Sequence, residues 1–176
     1  MYLHSVVIKL AAKILVTMEH EVQRRELSDC LTHVGHQVKT VDTFHNAMEI
    51  LRSADVDLIV CDVHLQNGGS VFDFLRWVKG DPHMRSTPFV CFSAEPPEVG
   101  KYLSDGVRTA ARALGAARYI SMDHFDSTVF LREIEWLIPE SKVGSYYEGD
   151  HSSDGHGDND HDGHDSKSRS PTKKIS

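Results

Sequence analysis

Leu58-Ile59-Val60-Cys61 is apolar at every position and stops at a carboxylate, Asp62. A strand with one wet face alternates apolar and polar residues. An unbroken apolar run instead fits a strand covered on both faces, as in a parallel sheet with helices above and below. A polar, glycine-containing loop follows as far as Gly69, and a helical pattern then begins. In open sheets of this class, functional groups collect just beyond the carboxyl ends of the strands. Asp62 is therefore expected at the edge where chemistry takes place.

The flanking segments repeat the same grammar. Lys13 to Met18 (KILVTM) predicts a first strand, followed directly by Glu19 and Glu21. Leu27, Cys30, Leu31 and Val34 recur at helical spacing, with Gly35 where a helix would stop. His36 to Val41 is a weaker second strand, and Asp42 or Thr43 can cap a helix whose buried face is Phe44, Ala47, Met48 and Leu51. After the central strand, Ser70 opens a helix carrying Val71, Phe74, Leu75 and Val78, which Gly80-Asp81-Pro82 breaks. Pro88 to Phe92 predicts a fourth strand, which delivers Ser93 to the same edge as Asp62. Leu103, Val107, Ala110 and Leu114 predict a helix weakened, and expected to split, at Gly100 and Gly106. Arg118 to Ser121 is a short fifth strand, and the last helix carries Phe130, Leu131, Ile134, Leu137 and Ile138 up to Pro139. Strands alternating with helices call for crossover connections and a parallel sheet. The expected class is α/β, a doubly wound five-stranded parallel sheet of flavodoxin-like type.

Composition narrows the function. Of 176 residues, 40% are hydrophobic and the formal net charge is −7, so a basic nucleic-acid surface is not expected. Cys30, Cys61 and Cys91 lie in apolar patterns without metal or redox spacing, as reduced thiols of a cytoplasmic protein do. Residues 1–12 read as an N-terminal extension, neither a signal peptide nor a membrane span. Residues 13–140 read as the folded domain. From Ser141 the chain turns to Gly, Ser, Asp and His, a composition unable to offset its ordering entropy by burial, so residues 141–176 are expected to be a disordered tail.

In this layout three strand ends bring Glu19, Asp62 and Ser93 together. A carboxylate at the tip of a buried strand can act as a nucleophile towards a phosphoryl group, giving an acyl phosphate. The added charge calls for a cation, and Mg²⁺ is commonly held by one or two carboxylates, water and phosphate oxygens, which Glu19 and Asp62 can supply. Ser93 can donate to a phosphoryl oxygen. The plainer account of the same residues is that Asp62 caps the turn that follows it.

The order of these groups resembles the receiver domain of two-component response regulators, over roughly Lys13 to Pro139. The matching pieces are KILVTME, DLIVCDVHL, PFVCFSAEPP and GAARYISM. The resemblance implies the strand order 2-1-3-4-5. It implies Asp62 as phospho-acceptor, Mg²⁺ on Glu19, Asp62 and the backbone of His64, and Ser93 with Tyr119 as the switch pair. Two positions depart from the pattern. Met18 stands where the first of two adjacent acids is usual, and Met122, followed by Asp123, stands where the family has a lysine. A lysine there would make a charge-assisted contact to the phosphoryl group, and Met122 cannot. Gln66 also replaces a common proline, and the segment from Ser93 to Tyr119 is longer than usual.

Other motifs fit less well. Asp62-Val63-His64 approaches the Asp-x-His-x-x-Gly motif of cobalamin-binding domains, but Asn67 holds the glycine position. It also lacks the second acid of haloacid-dehalogenase-type phosphatases. No P-loop, Gly-x-Ser-x-Gly elbow or dinucleotide fingerprint occurs in the right context. In the tail, His151, His156, His161 and His164 stand among aspartates, a composition that binds Zn²⁺ or Ni²⁺ weakly.

The resulting expectation is a stand-alone phosphorelay module without enzymatic turnover. It would take phosphate on Asp62 from a histidine kinase or histidine phosphotransfer protein and signal to a downstream protein, with no nucleic-acid or membrane contact. The alternatives are a phosphate-independent docking module, which Met18 and Met122 favour, and a small phosphatase or phosphotransfer enzyme on the same fold.

Overall fold

The computed structural model describes residues 11–65, 69–94 and 98–139, with the backbone alone for 98–104. Strands and helices alternate: β1 (Lys13–Thr17), α1 (Glu21–His33), β2 (Gln37–Val41), α2 (Phe44–Ser53), β3 (Leu58–Asp62), α3 (Val71–Gly80), β4 (Phe89–Ala94), α4 (Glu98–Ala113), β5 (Arg118–Met122) and α5 (Ser127–Ile134). The strands form one parallel sheet in the order β2-β1-β3-β4-β5. β3 is central and buried at all of its positions, whereas the edge strand β2 has none fully buried. The unbroken apolar run and the weaker second strand are thus explained by position in the sheet.

Side-chain alternation divides the core into two layers. Ile14, Val16, Leu58, Val60, Val90 and Phe92 pack against Leu27 and Leu31 of α1 and Phe130 and Ile134 of α5. Leu15, Ile59, Cys61, Phe89 and Cys91 face the other way, against α2, α3 and Ala111 of α4. In this second layer Phe74 stacks on Phe44 at 5.0 Å between ring centroids and meets Phe89 edge-on at 5.7 Å. Offset and edge-to-face pairs of this kind add to the gain from burial.

Helix ends follow the local chemistry. Thr43, of the two candidates, caps α2, its side chain accepting from the Asn46 amide at 3.2 Å. Asp126 caps α5 through the Val129 amide. Gly35, at φ +93°, closes α1: its amide donates to the Thr32 carbonyl and that of His36 to the Leu31 carbonyl. Gly115, at φ +98°, closes α4 in the same way. A left-handed residue at this position satisfies carbonyls that the helix leaves open.

Two expectations need correction. α4 runs unbroken through Gly100 and Gly106, because a single glycine weakens a helix by only about 1 kcal/mol. The last helix ends at Ile134 and tightens into a 3-10 turn over Glu135–Leu137, still burying Leu137 and Ile138. Ala12, assigned to the extension, is buried and receives a hydrogen bond from the Gln37 amide at 2.8 Å. The tail histidines and Gln66 lie outside the described residues.

Candidate functional site

β1 and β3 are neighbours, yet the chain leaves β1 towards β2 on one side and returns to β3 on the other. The crevice at this switch point is where ligands bind in open sheets of this class. An open cleft of about 870 Å³ occupies it, lined among others by His20, Glu21, Glu26, Asp62, His64 and Ala94.

Asp62 is the last residue of β3, in register with Phe92, and only 4% exposed. Its Oδ1 accepts a hydrogen bond from the His64 amide at 2.8 Å, so the carboxylate does cap its own turn. That bond does not exhaust a two-oxygen acceptor. Burial raises the Asp62 pKa; the hydrogen bond from His64 and the nearby His64 and His20 side chains oppose the rise, and the Glu19 carboxylate adds to it. Asp62, Glu19, His20 and His64 thus share one electrostatic neighbourhood.

The β1–α1 turn is held by Arg24, whose Nη1 donates to the carbonyls of Met18 at 2.8 Å and Glu19 at 3.0 Å. Nothing in the sequence pattern marks Arg24 for this work, since its partners are backbone atoms. His20 was also missed. It follows Glu19 directly, and its place in the cleft depends on the path of the turn.

Both departures from the receiver pattern are buried. Met18 is 1% and Met122 9% exposed, and both pack in the apolar layer shared by α1 and α5. Alternation puts Asp62 on this same side of the sheet, so thioethers occupy the flanks where an acid and an ammonium group are usual. Among the described residues no cluster of three or more His, Cys, Asp or Glu is arranged to enclose a metal ion.

Ser93 and Tyr119 belong to the other face. Ser93 is fully buried and its Oγ has no hydrogen-bond partner. Tyr119, in register with Cys91, is half-buried, with the Arg108 guanidinium 5.6 Å from its ring centroid. Burial raises its pKa and Arg108 opposes the rise. Neither side chain lines the cleft. The structure therefore brings Asp62, Glu19 and the two histidines together, with Ser93 at the same sheet edge but on the α4 side.

The strand order, the crossover at β1 and β3, and the acid at the tip of β3 define a receiver-domain fold. Solved receiver domains superpose on the chain. The chemotaxis response regulator CheY4 of Vibrio cholerae does so with a TM-score of 0.63 and 19% identity, covering 73% of this chain and all of that one. The receiver domain of a signal transduction histidine kinase from Syntrophus aciditrophicus gives a TM-score of 0.62 and 21% identity, over 77% of this chain and 96% of that one. A third is the receiver domain of a sensor histidine kinase from Pseudomonas aeruginosa, solved with a magnesium ion in its active site cleft. It gives a TM-score of 0.60 and 18% identity, over 73% and 98% of the two chains.

By sequence, the chain is 31% identical over 142 residues to the sensory/regulatory protein RpfC of Xanthomonas campestris pv. campestris. That match covers 78% of this chain but only 19% of RpfC. No protein-family profile matches the chain. Among the described residues no helix is long and apolar enough to cross a membrane.

Proposed function

We propose that the chain is a receiver module of a phosphorelay, with Asp62 as the phosphoryl acceptor. The observation that carries this reading is a buried carboxylate at the tip of the central strand, opening on a cleft at the sheet's switch point. In the reaction, a carboxylate oxygen of Asp62 attacks phosphorus of a phosphohistidine on a histidine kinase or phosphotransfer partner. The P–N bond breaks, its electron pair leaves with the imidazole, and a P–O bond forms an aspartyl phosphate.

The donor set fits Mg²⁺ at its minimum: Asp62 and Glu19 are electrostatically coupled carboxylates, and Mg²⁺ commonly keeps several waters beside one or two such ligands. When bound, the ion would neutralise charge on the incoming phosphoryl group, held by Asp62, Glu19 and the backbone of His64. Ser93, with a buried hydroxyl lacking a partner, is suited to turn towards a new acceptor at Asp62. Tyr119, on the same face of the sheet, would carry that change to the surface of α4 and β5. The role is signalling through protein contacts in the cytoplasm, without turnover of a metabolite.

Incubation of the full chain with acetyl phosphate and Mg²⁺, followed by intact mass, tests this. One added phosphoryl group, lost in Asp62→Asn, is the expected result. An unchanged mass with donor and Mg²⁺ in excess would overturn the proposal.

The burial of Met18 and Met122 favours a second reading, a docking module that works without phosphate. Met18→Asp with Met122→Lys separates the two. If the double variant gains phosphorylation and its partner binding stays unchanged, the phosphate-independent reading holds.

A further inference from the structure

β5 is an edge strand, and a groove of about 350 Å³ runs beside it between α4 and α5, lined by Arg108, Arg112, Arg118, Tyr119, Ser121 and Glu133 among others. Arg108 and Arg112 lie one helical turn apart on α4, and both are exposed. Arg118, at the start of β5, is already engaged. Its Nη2 and Nε donate to Glu133 Oε2 at 2.7 and 3.0 Å, and its guanidinium lies over the Trp136 ring, 5.4 Å from the centroid.

Arg108 has only a long, exposed contact to Asp105 at 3.8 Å, and Arg112 has no ion pair among the described residues. The groove thus holds three guanidinium groups against one carboxylate, in a domain whose overall charge is negative. Trp136, 61% exposed, and Tyr119 supply aromatic surface at its ends.

We propose that this groove docks an acidic, extended segment of a partner protein, laid along the free edge of β5 with its carboxylates on Arg108 and Arg112. The inference rests on the reading of the chain as a module that signals through protein contacts, and it names the chemistry of the partner. Three features favour such an occupant. Planar guanidinium groups bind carboxylates bidentately. Arginine, tyrosine and tryptophan are the residues enriched at protein interfaces. An edge strand also offers unpaired backbone groups to an added strand. Arg108 also lies over Tyr119, so an occupant that draws its guanidinium away would free the ring.

The test uses the full chain and a short fluorescent peptide of alternating threonine and glutamate, with binding read by anisotropy at two salt concentrations. Saturable binding that weakens with salt is expected. In Arg108→Ala with Arg112→Ala, affinity should fall roughly tenfold, as for loss of two exposed charge-assisted contacts. The same charge loss in Arg76→Ala with Arg85→Ala, away from the groove, should leave it unchanged. Equal loss in both pairs, or no binding, would overturn the proposal. So would a concentration-dependent dimer dispersed by the groove variant in place of peptide binding, because the occupant would then be a second copy.

Asp62→Asn should bind the peptide like the parent. Peptide binding without phosphate acceptance would remove the phosphorelay reading and leave the groove. Phosphate acceptance without peptide binding would do the reverse.

Discussion

Asp62 is held in a place that disfavours its charge. Its carboxyl pKa is raised mainly by burial, so between the ordinary aspartate value of about 3.9 and the raised folded value the native state binds more protons than the unfolded state. Stability therefore falls as pH climbs through that window, and above it the penalty is present in full. Asp62→Asn keeps an acceptor for the His64 amide and removes the charge. It should raise the urea midpoint at neutral pH, and the gain should vanish below the unfolded pKa. A midpoint difference that does not change with pH would show that packing, not charge, is responsible.

Thr17 poses a neutral version of the same problem, because its buried Oγ1 has no hydrogen-bond partner. Thr17→Val keeps the shape and removes the orphaned hydroxyl, and should stabilise by about 1 kcal/mol, read by urea unfolding. At this scale the sequence named the acceptor acid and the hydroxyl at the next strand tip. Arg24 and His20 stayed hidden, because a side chain that holds backbone carbonyls, or reaches a site around a turn, leaves no periodic trace.

Among the elements, the helix ends were the most legible, and they show when a glycine matters. Gly35 sits at φ +93° with open space around a would-be Cβ, so Gly35→Ala should cost about 1 kcal/mol through backbone strain alone. Gly80 closes α3 with similar free space and no positive φ, and Gly80→Ala should be neutral or stabilising by about 0.5 kcal/mol. Opposite signs in thermal melts of the two variants are the expected result. Gly106 belongs with Gly80. Its position suggested a break in α4, but at a helical φ the cost of a glycine is small enough for neighbouring turns to absorb.

For the molecule as a whole, the two core layers share every strand between them, so neither can empty without exposing the other's sheet face. The described domain should unfold in a single transition. Trp77 packs with the α2, α3 and α4 layer, and Trp136 lies just beyond α5 on the opposite side. Trp77→Phe and Trp136→Phe each leave one reporter. Within each variant, the remaining tryptophan's fluorescence midpoint should coincide with that of circular dichroism. Separated midpoints would mean that the layers melt independently.

By itself the sequence determined the alternation of strands and helices, which strand lies at the centre, and which acid stands at its tip. Those properties are written in local hydrophobic periodicity, which a strand or helix expresses wherever it is placed. Only the tertiary structure decided what surrounds that acid. It buried Met18 and Met122 beside Asp62, swung His20 into the cleft, left the Ser93 hydroxyl without a partner, and gathered three arginines from α4 and β5 into one groove. These arrangements arise where elements distant in sequence meet, and the spacing of residues along the chain does not encode that meeting.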